Sequence, residues 1–141
     1  MCYAVFIATK KPQETTVFVE DVTKLYLEQP TAEQLNGLRA KFSLSYVYYV
    51  GSATGCSCDF EFHSEWFDDP EWQDSKASPQ ALLDLLNELT VTGDVEFYCC
   101  WDGDWDEPIE HSRVLKSGDS TLANNYFELV EREFIRFVKC N

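Results

Sequence analysis

Cys56 and Cys58, separated by one serine in the bend "GSATGCSC" at 51–58, have the clearest capacity for chemistry in this chain. Thiolates hold soft and borderline metals, and they act as nucleophiles. Cys2, Cys99, Cys100 and Cys140 complete the set of six. Side chains two apart on a strand share a face, so Cys56 and Cys58 can project together. If segments 58–63 and 95–101 are neighbours, Cys56, Cys58 and Cys99 converge as a zinc-type site, with Cys100, Cys2 or His63 as completion. Zinc accepts such ligands at about 2.0–2.3 Å. Against this, the chain lacks the CxxC…CxxC spacing of a structural zinc site. Free cysteine is also among the most buried residue types. Cys58 alternates in step with Phe60 and Phe62, the pattern of interior filling, and packing is the expectation. No motif demands a cofactor.

A catalytic thiol is the third possibility. Cys56 follows Gly55 in a bend whose backbone N–H groups could face an anion. The charges close in sequence are Asp59, Glu61 and Glu65, which oppose a thiolate. His63 is the nearest base, and on a strand it points away from Cys58. The bend itself has no GK[ST] and leads into a strand rather than a helix, so it is no phosphate loop.

The segment "CWDGDWDEP" at 100–108 sets Asp102, Asp104 and Asp106 at alternating positions. Measured as a calcium loop from Asp102 it fails, with Glu107 where glycine is needed and Arg113 where a bidentate glutamate belongs. A solvated acidic turn is the simpler reading. Trp101 and Trp105 beside those carboxylates, with Trp66 and Trp72 in "HSEWFDDPEW", compose an aromatic–acidic surface. Such a surface suits a basic protein partner through carboxylates and cation–π contacts. Binding by Trp66, Trp72, Trp101, Asp102, Asp104, Trp105 and Asp106 is therefore the leading functional expectation. Enzymatic activity is not expected.

These side chains need elements to position them. Residues 2–9 are apolar on both sides of a strand, which places that strand inside a sheet covered twice. One short edge strand is expected within 16–28. Thr31 and Gln34 make a capping box that opens a short helix carrying Leu35, Leu38 and Phe42. Residues 46–50 and 58–63 read as an antiparallel hairpin around the small-residue bend. Ser78 as N-cap and Pro79 at the first helical position start the second helix, with Leu82, Leu85, Leu86 and Leu89 as its buried stripe. Residues 94–101 follow as a strand. Segment 123–139 mixes helical spacing with strand formers, and a strand over 131–139 is the choice. The fold expected is α+β: a mainly antiparallel (mixed) sheet of five or six strands, two helices on one face, in a single domain over 1–141.

A net charge of −14 with only 11 Lys and Arg argues against nucleic acid and against anionic membrane surfaces. No apolar run approaches the roughly 18–20 residues that cross a bilayer. The N-terminus has no basic leader, and a cytoplasmic location is expected. The "GSATGCSCDF" turn at 51–60, the "CWDGD" loop at 100–104 and "EREFI" at 131–135 together resemble an uncharacterised family of small bacterial cytosolic proteins. That family carries a GSxxGCxCxF turn and a CWxGD loop. The resemblance implies no activity. It implies only that Gly51, Ser52, Gly55, Cys56 and Cys58, with Cys100, Trp101, Gly103 and Asp104, mark the first place to look for a site.

Overall fold

The computed structural model describes residues 2–139; Cys140 lies outside them. Six strands form one sheet in the order β2-β3-β1-β4-β6-β5. They are β1 (Tyr3–Thr9), β2 (Leu25–Glu28), β3 (Tyr46–Ser52), β4 (Val95–Trp101), β5 (His111–Lys116) and β6 (Glu133–Val138). Every pairing is antiparallel except β5 with β6. The fold is α+β, as the sequence pattern requires.

β1 lies in the middle because both of its faces are apolar. Val5 and Ile7 enter the larger core, while Ala4 and Phe6 enter a second core on the opposite face. The helices divide accordingly. Leu82, Leu83 and Leu86 of α2 (Ala77–Leu89) cover the first face, and Leu38 of α1 (Ala32–Leu38) covers the second. The expectation of both helices on one face is thus corrected: the double-sided strand needs a cover on each side. At roughly 1.5–3 kcal/mol for each fully buried large apolar side chain, both layers contribute substantially.

The capping box forms, with Thr31 Oγ1 accepting from Gln34 N and Gln34 Oε1 accepting from Thr31 N. The second helix begins differently from the expected Ser78 cap. Its N-cap is Lys76, and Ser78 is buried with another task. The Ser78 hydroxyl donates to Lys24 O and accepts from Ala53 N, tying α2 to the segment before β2 and to the bend after β3.

Two segments depart from the sequence reading. Residues 58–63 do not form the second arm of a hairpin; a 3-10 turn at Cys58–Phe60 carries the chain off the sheet and beneath it. Phe60 and Phe62 are nevertheless fully buried in the first core, so the alternation reported burial correctly and pairing wrongly. β5 is the other departure. Its edge is exposed and polar, and its parallel pairing requires the chain to cross over before β6. Residues 117–132 make that crossing, burying Leu122, Tyr126, Phe127 and Leu129 in the first core.

Candidate metal centre

The bend after β3 is a closed local unit. Ser52 N–H donates to Cys56 O at 2.7 Å, Gly55 N–H donates to Ser52 O, and Gly55 has φ +82°. That left-handed geometry favours glycine. Ser57, fully buried, then fastens the bend to the sheet. Its hydroxyl donates to Val50 O at 2.6 Å and accepts Val5 N–H at 2.9 Å. With Ser57 pinned, the flanking residues Cys56 and Cys58 are carried to the start of β1, where Cys2 precedes Tyr3. Asp102 N–H donates to Cys2 O at 2.8 Å, which fixes the backbone there.

The result is three sulfurs, those of Cys2, Cys56 and Cys58, all within 4.8 Å of one another. Cys2 is exposed, Cys56 and Cys58 are partly buried, and none is in a disulfide. This corrects the expected ligand set. Cys99 is completely buried in the first core, and Cys100 is completely buried in the second, on the opposite face of the sheet. Adjacent residues on β4 must face opposite ways, so the pair at 99–100 cannot serve one site. Cys2, weighed from the sequence only as a completing ligand, takes a first place. The side-chain direction assigned to Cys58 is also revised. A 3-10 turn does not keep strand alternation, so Cys58 turns to the other thiols while Phe60 enters the core.

The electrostatics of the three thiols are unequal. Burial pushes the Cys56 thiol up, but hydrogen bonds outweigh it and the net shift is downward. The Thr54 hydroxyl, the Cys58 backbone N–H and the Cys58 and Cys2 thiols all favour its anion. Cys58 is pushed up to about 12, first by burial and then by the neighbouring sulfurs. Burial holds Cys99 well above the ordinary thiol range, as befits a packing residue.

His63 is not arranged as a base for Cys56. Its Nδ1 is 2.6 Å from Glu128 Oε1 and its Nε2 is 3.1 Å from Glu61 Oε1, so carboxylates occupy both ring nitrogens.

The four tryptophans do not gather on one surface. Trp66 and Trp72 stack at 3.8 Å with their planes 6° apart and pack against the first core. Trp101 stacks on Tyr3 at 4.3 Å. Trp105 is only 9% exposed and packs edge-on to Phe6 in the second core. Asp102 and Asp106 are exposed and Asp104 is partly so. In the same loop, Glu107 and Glu110 pair with Arg132. Among the described residues, no helix is long and apolar enough to cross a membrane.

No family model, curated protein or solved structure matches the chain.

Proposed function

We propose that this protein binds one thiophilic metal ion, zinc in the first instance, through the thiolates of Cys2, Cys56 and Cys58. The carrying observation is the mutual approach of three sulfurs to within 4.8 Å, Cys2 being 54 and 56 residues away in the chain from the other two. Thiolates at about 2.3 Å from a common zinc ion stand roughly 3.8–4.0 Å from one another, so small side-chain adjustments close the set. The site has three protein ligands among the described residues, which leaves a fourth position for water or another exogenous donor. Thiolate donors favour zinc or Cu(I) over magnesium or calcium. Thiol ligands give up their protons when a metal binds, so binding strengthens as pH rises. The net charge of −14 attracts cations towards the surface.

Zinc titration of the reduced protein tests this reading. One equivalent binds, and Cys2→Ser, Cys56→Ser and Cys58→Ser each weaken binding at least tenfold. Cys99→Ala and Cys100→Ala leave the stoichiometry at one. Equal binding by all five variants rejects the proposal.

A basic protein partner is the second reading, favoured by the exposed carboxylates of Asp102 and Asp106 beside the half-exposed Trp101. Its signature is affinity that falls steeply with added salt. Salt-independent association, or association unchanged in the Asp102→Asn, Asp106→Asn double variant, counts against it.

A further inference from the structure

We infer that the same three-sulfur cluster is an oxidative modification site, at which a hydroperoxide converts Cys56 and Cys2 into a disulfide in competition with metal binding. The inference rests on the metal reading only for the competition; the disulfide stands on geometry alone.

Cys56 is accessible to the oxidant. It is partly exposed, and the Thr54 hydroxyl lies 3.5 Å from its Sγ. Two further thiols stand within 4.8 Å, so an oxidised Cys56 has a partner at hand.

Cys2 is the better partner of the two. A disulfide requires the sulfurs to close to about 2.05 Å with a dihedral angle near 90°. Cys56 and Cys58 flank Ser57, whose hydroxyl holds both Val5 and Val50 and is fully buried. Closing a ring across that single pinned residue distorts a backbone that cannot yield. Cys2 lies on a different segment and is exposed, so its side chain is the freer of the two to close on Cys56.

The chemistry balances with the hydroperoxide as sole oxidant. The Cys56 thiolate attacks the terminal oxygen of R–O–O–H, forming an S–O bond and breaking the O–O bond. The products are Cys56–SOH and RO⁻, which takes a proton to become ROH. The Cys2 thiolate then attacks the Cys56 sulfur; an S–S bond forms, and hydroxide leaves to become water with the proton Cys2 gave up. Two thiols lose two electrons in all, and the peroxide bond gains them. Two of the three proposed metal ligands are consumed, so a bound ion shields the thiols and an oxidised cluster no longer holds it.

The test treats reduced, metal-free protein with one equivalent of hydrogen peroxide and maps disulfides by peptide mass. A Cys2–Cys56 link is expected, forming at least tenfold more slowly when the protein is preloaded with zinc. In Cys2→Ser, a sulfenic acid persists on Cys56 and is trapped by a dimedone probe. Linkage of Cys56 to Cys58, oxidation spread evenly over the thiols, or no protection in protein shown to hold zinc would each overturn the inference. Zinc loading is measured separately before peroxide is added. Failure of the metal reading therefore shows as absent zinc, and failure of this inference as the wrong linkage or rate.

Discussion

The hydroxyl of Ser57 accepts the backbone N–H of Val5 at 2.9 Å, and this bond carries the two-cysteine bend onto the strand that follows Cys2. The same hydroxyl donates its proton to Val50 O, so a single side chain joins β1 and β3 where their own pairing ends at Val5 and Val50. The cluster depends on this joint.

Ser57→Ala removes the joint and leaves a buried N–H and a buried carbonyl without a partner. A cost of about 1–3 kcal/mol in unfolding free energy is expected, measured by urea denaturation. Zinc affinity falls as well, because the bend is no longer held against Cys2. Unchanged stability with unchanged affinity would show that the bend is positioned by other contacts.

Gly37→Ala reverses the ordinary helix rule. In an exposed helix interior this substitution stabilises by about 1 kcal/mol. Here the added Cβ would stand 2.6 Å from the Trp105 backbone carbon and 2.8 Å from Asp106 N. Lys41 Nζ reinforces the contact by donating to both Gly37 O and Trp105 O. The variant is expected to be destabilised, with the Trp105 fluorescence shifted towards that of an exposed indole. A rise in thermal midpoint would contradict the close packing of α1 on this loop.

Alkaline pH should weaken the fold across a defined window. Tyr49 is pushed up to about 12 chiefly by burial, and Cys100 to about 12 by burial and then by Asp104. Their unfolded values are near 10.0 and 9.0 respectively. The folded protein holds these protons more tightly, so the stability they contribute is complete below about pH 9 and lost as pH rises towards 12. Denaturation curves at pH 8 and pH 11 measure the loss, and Cys100→Ala should reduce it. A pH-independent midpoint over that range would contradict the burial of these groups in their neutral forms.

Much of this was legible in the residues. The double-sided apolar pattern of β1 placed it mid-sheet, the Thr31–Gln34 spacing announced a capping box that forms, and β6 at Glu133–Val138 falls within the strand read at 131–139. β5 was illegible because its residues, "HSRVLK", are almost wholly exposed; an edge strand held by pairing alone carries no alternation to read. Residues 58–63 misled for a different reason. Phe60 and Phe62 can alternate into a core from a strand or from a 3-10 turn leading to extended chain, and burial alone does not distinguish them. The nearness of Cys2 to Cys56 and Cys58 arises from Ser57, whose two bonds span 52 and 7 residues. No local spacing encodes such a contact. The tryptophans, read as a surface by composition, were partly drawn inward, Trp105 by the gap that Gly37 leaves.

X-ray absorption at the zinc edge of the stoichiometrically loaded protein tests the central claim most directly. Three sulfur neighbours at about 2.3 Å with one lighter donor are predicted, falling to two sulfurs in Cys2→Ser. A first shell made only of nitrogen and oxygen, or a sulfur count unaffected by replacing Cys2, would contradict the account.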